Sequence, residues 1–209
     1  MATTRQRVVI VDYGTGNLNS LKKGLTRIGA EIQVSFSAKD ITEADKIILP
    51  GVGHFATAMS SLERLDLVDT LHESVIVRQK PVLGICLGME LMAKRSEEAP
   101  GDGLGWLEAN AIRLAIPAGG RYKVPHMGWN RIIIKKSSSL MSGVEEDSEF
   151  YFAHSYYVEL LDPQDLLGET RYGSTFPSAV EKGNIFGVQF HPEKSHDAGA
   201  HLLRNFVQL

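Results

Sequence analysis

The sequence predicts an α/β fold: a mixed, mostly parallel sheet flanked by helices, with a partly antiparallel C-terminal half. Three observations carry this prediction. In the first half, compact β-branched runs alternate with patterns of helical period. Those runs are apolar without interruption, as strands covered on both faces must be. In the second half, strand-like segments follow one another with few helices between them, which fits antiparallel neighbours.

Arg7–Val11 (RVVIV) is the first strand, followed by the polar, glycine-containing stretch 12–17. Leu18, Leu21, Leu25 and Ile28 then recur at spacings of three and four, so one helical face is apolar. Asn17 suits the N-cap of that helix, and Gly29 sits where a helix end needs a left-handed residue. Lys46–Leu49 (KIIL) is the next strand and runs into Pro50-Gly51-Val52-Gly53. Phe55, Met59 and Leu62, and then Leu67, Val68, Leu71 and Val75, mark helices. Residues 81–86 (PVLGIC) form a third buried strand, with a helix expected over about residues 89–94. In the second half, 112–115, 131–135 and 150–160 read as strands. Residues 179–190 read as a strand, a Gly-Asn turn and another strand. Ala200, Leu203, Phe206 and Val207 place a final amphipathic helix. No repeat, low-complexity tract or linker interrupts the chain, so one domain over residues 1–209 is expected.

Composition narrows the function. The chain has 209 residues, 22 basic and 25 acidic, for a net charge of −3. That mixed surface gives no electrostatic reason to expect nucleic acid. No apolar run approaches the ~18 residues of a membrane span. The first residues lack the long apolar stretch of a secretory signal, and a cytoplasmic location is expected. Neither GxGxxG nor a Walker A pattern occurs, and the seven histidines lack metal-ligand spacing, so no cofactor and no metal are expected. The single cysteine, Cys86, excludes internal disulfides and zinc sites built on several cysteines.

Cys86 lies in Gly84-Ile85-Cys86-Leu87-Gly88, the spacing of a nucleophile elbow with Cys in place of Ser. A sharp strand-to-helix turn brings backbone close together, and glycine at the flanking positions avoids the clash. The following helix N-terminus is expected to favour thiolate over thiol. A thiolate nucleophile needs a base and a group to orient the base. His191, in Phe190-His191-Pro192-Glu193-Lys194, is the candidate. Pro192 biases His191 to an extended conformation. In an extended segment Glu193 would lie on the same side as His191 and could hold its tautomer. His126 and His154 remain alternatives, each also readable as a structural histidine. For a developing oxyanion, the Leu87 amide is one natural donor, and the glycine-rich segment Gly51, Val52, Gly53 is the candidate for another.

Together, GICLGM, FHPEK and PGVGHF make the chain resemble the class I glutamine amidotransferases. DYGTGN (12–17), KVPHMGWN (123–130) and YFAHSYYV (151–158) make it more specifically similar to the glutaminase subunits of imidazole glycerol phosphate synthases. The resemblance spans essentially the whole chain and implies a flavodoxin-like arrangement. It implies that Cys86 attacks the carboxamide of glutamine, that His191 protonates the departing ammonia and that Glu193 orients His191. Ammonia would pass to a separate (β/α)8-barrel synthase subunit, for a step of histidine biosynthesis that also releases aminoimidazole carboxamide ribotide. The family implies that the Val52 peptide reorients before donating. Glu90, Ser155 and Tyr156 match glutamine-binding positions. Asn17, His126, Met127, Trp129 and Lys194 match positions near the partner interface and ammonia passage.

Two departures matter. Where the family usually has Gln, this chain has Glu90, which when ionised only accepts hydrogen bonds and adds charge beside a thiolate. On that basis Glu90→Gln is expected to lower the KM for glutamine. Second, Glu108-Ala109 replaces the Pro-Gly more common in histidine-pathway members. Similar paralogues supply ammonia for sugar amination in surface-polysaccharide biosynthesis, which keeps that acceptor open.

Overall fold

A computed structural model describes residues 6–16, 18–117 and 122–209. Asn17, expected as an N-cap and as a partner-facing residue, lies outside the described residues. The chain opens with β1 (Arg7–Val11), α1 (Leu18–Arg27), β2 (Glu31–Ser35), α2 (Ala38–Glu43) and β3 (Lys46–Leu49). Next come α3 (Phe55–Arg64), α4 (Leu67–His72), a π-helical turn (Glu73–Val77) and β4 (Val82–Ile85). A single helical turn, α5 (Leu87–Glu90), leads to β5 (Arg95–Ser96), β6 (Ala109–Arg113), β7 (His126–Arg131) and β8 (Ile133–Ile134). Then follow β9 (Glu149–His154), β10 (Tyr156–Leu160), β11 (Leu166–Tyr172), β12 (Ser174–Lys182), β13 (Ile185–Val188) and α6 (His196–Gln208).

Eight strands form the main sheet, in the order β2-β1-β3-β4-β13-β12-β11-β8. The first five are mutually parallel, and β12, β11 and β8 complete the sheet as antiparallel strands. The parallel part thus has the 2-1-3-4-5 order of a flavodoxin-like sheet, with β13 in fifth place. Along β1, Val8 and Ile10 join Leu21 and Leu25 of α1 and Leu202, Leu203 and Phe206 of α6 in one core. Val9 and Val11 join Ile41, Phe55, Leu62 and Leu71 in the other. Both faces are therefore covered, which is why the strands carry uninterrupted apolar runs.

Several elements depart from the sequence reading. β2, α2 and β11 were not expected, and β12 begins well before residue 179. β2 is a half-exposed edge strand whose pattern lacks a clean alternation. Pro177 would argue against an interior strand, yet it pairs with Glu169 beside a register irregularity in β11, where the ladder is already interrupted. The stretch 150–160 is broken at Ser155: β9 pairs with β7 in a two-stranded sheet, and β10 pairs with β6 in a three-stranded one. The helix expected over about 89–94 instead begins at Leu87 and ends after one turn. Gly29, at φ +84°, takes the left-handed position expected of it.

Candidate active site

The site lies at the carboxyl ends of β3, β4 and β13. Because β13 pairs with β4 in register, Val188 lies beside Ile85, and the Cys86 amide donates to the Val188 carbonyl at 2.7 Å. The segments following the two strands, Cys86 on one and Gln189 to His191 on the other, are thereby neighbours although about a hundred residues separate them in sequence.

Cys86 has φ +54° and ψ −114°, a backbone conformation that an L residue holds only under constraint. The constraint is visible in the flanking glycines. A Cβ on Gly88 would sit 1.7 Å from the Leu49 carbonyl oxygen, and one on Gly84 would sit 2.8 Å from the Met89 backbone. Side chains there would push α5 off β3 and β4, so the elbow depends on both glycines. The Leu87 amide acts to lower the pKa of the Cys86 thiol.

The thiol is not poised as thiolate, contrary to the sequence expectation. Burial pushes its pKa up, and the nearby carboxyls of Glu90 and Glu193 add to this against the Leu87 amide and the Gln189 side chain. One helical turn supplies too few aligned peptides to outweigh desolvation. To act as a nucleophile, such a thiol would need a base to take its proton.

His191 Nδ1 and Glu193 Oε1 are 2.9 Å apart, and both side chains are buried. His191 is extended, at φ −102° and ψ 95°, but Pro192–Lys194 then forms one 3-10 turn. That turn, not the alternation of an extended strand, folds Glu193 back onto the imidazole. With Nδ1 held, His191 Nε2 is buried and has no hydrogen-bond partner among the described residues. The His191 amide donates to Tyr151 and the Ser195 hydroxyl donates to the His191 carbonyl, which fixes the ring from behind.

A cavity of about 170 Å³ opens beside Cys86. Val52, Gly53, Leu87, Glu90, Ser155 and Tyr156, all singled out in the sequence, line it. Gly51 lies just beneath, where a Cβ would come within 2.7 Å of the Tyr13 hydroxyl and 2.9 Å of the Gly88 nitrogen. Further participants were not singled out in the sequence. Glu98 lines the cavity and accepts a hydrogen bond from the Phe55 amide at 2.7 Å. Its acidic loop context resembles any solvated surface, and nothing in the pattern marks it. Tyr13 is fully buried and donates its hydroxyl to the Pro50 carbonyl. Gln189 is fully buried and reaches both Glu90 and Cys86. Pro125 completes one wall.

The residues of KVPHMGWN divide by strand alternation. Met127 and Trp129 project outward, 63% and 44% exposed. Trp129 stacks on His196 at 4.8 Å, and Lys194 lies over the Tyr151 ring. His126 points inward instead. It is buried between Phe152 and Tyr172 and hydrogen-bonded to His154, so it presents no side chain to a partner.

The sequence profile described as glutamine amidotransferase class-I matches residues 9–209. This chain belongs to the class I glutamine amidotransferase family. Among relatives of this amidotransferase is imidazole glycerol phosphate synthase subunit HisH 2 of Pseudomonas aeruginosa, 46% identical over 97% of this chain and 99% of that protein. The HisH 2 subunit of Methanococcus maripaludis is 43% identical, over 96% of this chain and 98% of its own. A solved structure described as glutamine amidotransferase superposes with a TM-score of 0.74 at 21% identity, covering 96% of this amidotransferase and 99% of that chain, which bears on the fold alone. Among the described residues no helix is long and apolar enough to cross a membrane.

Proposed function

We propose that this amidotransferase is the glutaminase subunit of an imidazole glycerol phosphate synthase, acting through Cys86, His191 and Glu193. Residues 1–209 act as one domain, in the cytoplasm. The observation that carries the reading is the strained Cys86 elbow beside a cavity, with a buried His191–Glu193 pair on the neighbouring strand end.

Glutamine enters the cavity with its carboxamide toward Cys86. Ser155 and Tyr156 hold its backbone groups, and the carboxylate of Glu98 complements the α-ammonium. His191 Nε2 takes the thiol proton as sulfur attacks the carboxamide carbon. The developing oxyanion is met by the Leu87 amide and by an amide from Gly51, Val52 or Gly53. Collapse of the tetrahedral intermediate breaks the C–N bond, and His191 returns its proton to the nitrogen, releasing ammonia. Water, deprotonated by His191, then hydrolyses the γ-glutamyl thioester to glutamate and restores the thiol. Glu193, against Nδ1, orients the ring and stabilises the transient imidazolium. Ammonia passes to a (β/α)8-barrel synthase subunit docked near Asn17, Met127, Trp129 and Lys194. The inward-facing His126 supports that face from behind.

Cys86→Ala tests this. Glutamate release should fall by more than ~10³-fold, while co-purification with the barrel subunit and synthesis from added ammonia persist. Retained glutaminase activity would overturn the mechanism. Co-expression with the cognate barrel in a strain lacking the histidine-pathway glutaminase should restore growth. Failure of soluble complex to do so would favour a sugar-amination partner, the acceptor suggested by Glu90 and Glu108-Ala109.

A further inference from the structure

Glu90 sits on the wall of the cavity that holds Cys86, and only 5% of it is exposed. Its Oε1 accepts one hydrogen bond, from Gln189 Nε2 at 2.9 Å, and the same nitrogen lies 3.8 Å from Cys86 Sγ. The charged and titratable groups around it are unfavourable to a carboxylate. Glu98 lines the same cavity, Cys86 precedes it by one turn, and the buried Tyr13 hydroxyl is near enough to feel both Cys86 and Glu90. Glu193 acts on Cys86 from the side of β13. His154, on the far wall, is held neutral by burial. Among the described residues, no lysine or arginine lines this cavity. A buried carboxylate needs several donors or a cation, and one amide donor is insufficient.

Burial accordingly pushes the Glu90 carboxyl up to about 8, with Glu98 adding to the shift and the Gln189 hydrogen bond opposing it. Since Oε1 accepts from Gln189, the proton belongs on Oε2, where it makes the side chain a donor.

We propose that Glu90 works as a neutral carboxylic acid whose Oε2–H donates to the bound substrate, making it a specificity-determining residue for an uncharged carboxamide and making glutamine binding weaken as that proton leaves. This rests on the glutaminase reading. It also reverses the sequence expectation for Glu90→Gln: near neutral pH the acid and the amide both donate, so the substitution changes KM little, and the two proteins diverge only at alkaline pH.

The experiment is glutamine binding by calorimetry to the full chain carrying Cys86→Ala, with and without Glu90→Gln, between pH 6.5 and 9. The amino group of free glutamine titrates identically for both proteins and cancels in the comparison. Between pH 7 and 9 the Kd of the Glu90 protein should rise about 10-fold more than that of the Glu90→Gln protein, following the tenfold change per pH unit above a titrating group. An infrared difference spectrum between the two ligand-free proteins at pH 7 should contain a protonated-carboxyl band. Equal pH dependence, or a carboxylate band at pH 7, overturns the proposal. Absence of glutamine binding to either protein with the protonated band present would instead overturn the glutaminase reading.

Discussion

His126 Nδ1 and His154 Nε2 lie 2.9 Å apart in the interior, one on β7 and the other directly opposite on β9. The His154 ring is also held by the Tyr156 carbonyl, at 2.7 Å from Nδ1. One contact chain therefore runs from the inner face of the KVPHMGWN strand to the Ser155-Tyr156 wall of the cavity. With its Nδ1–H donating to the Tyr156 carbonyl, His154 must be neutral for its Nε2 to accept from His126.

Burial lowers His126 to about 4 and His154 to about 3. An unfolded histidine titrates near ~6.5, so below that the unfolded state binds protons that the folded state refuses. The pair's contribution is present above ~6.5 and is lost as the pH falls toward 4. Urea unfolding should show stability dropping across that window, with a slope approaching about 1.4 kcal/mol per pH unit for each histidine. His154→Gln should be less stable at pH 7 but have a shallower slope between pH 6 and 5. An unchanged slope would assign the acid sensitivity elsewhere.

Tyr13 holds the start of the segment proposed above to supply the second oxyanion donor. Its buried hydroxyl donates to the Pro50 carbonyl, and burial raises its pKa, so it remains a donor across the working range. Tyr13→Phe leaves that carbonyl unpaired, at a cost of about 1 kcal/mol in stability. The Pro50–Gly51 peptide, next to Gly51–Val52, then loses its anchor. Steady-state kinetics should show kcat for glutamine lowered roughly 10-fold, which is about 1.4 kcal/mol and less than the loss of a whole oxyanion donor, with KM nearly unchanged. A rise in KM alone would mean that Tyr13 shapes the pocket rather than the oxyanion segment.

Two glycines should respond oppositely to alanine. Gly24 lies inside α1, and a Cβ there would meet Leu203 Cδ1 at 3.7 Å, an ordinary contact. Gly24→Ala should stabilise by about 0.5–1 kcal/mol, because alanine has less unfolded-state freedom to lose. Gly88→Ala would place its Cβ 1.7 Å from the Leu49 oxygen and should destabilise by at least ~2 kcal/mol while displacing Cys86. Thermal melts of the two variants should fall on opposite sides of the parent.

The local chemistry was legible in the sequence. Gly84, Cys86 and Gly88 report a tight turn because sterics act between near neighbours. The buried strands β1, β3 and β4 are legible because two-sided burial demands continuous apolar runs. The His-Pro-Glu run placed the candidate base and its candidate orienter together, although the 3-10 turn rather than strand alternation brings them into contact. Only the tertiary structure decided what depends on long-range pairing. β13 beside β4 brings Gln189 against Cys86 and Glu90. β7 opposite β9 buries His126 instead of presenting it. The same enclosure raises the Cys86 thiol and the Glu90 carboxyl, keeping the thiol neutral and reversing the charge state that the carboxyl would hold in water. Sequence identifies ionisable groups, but the desolvation that sets their protonation is a property of the surrounding fold.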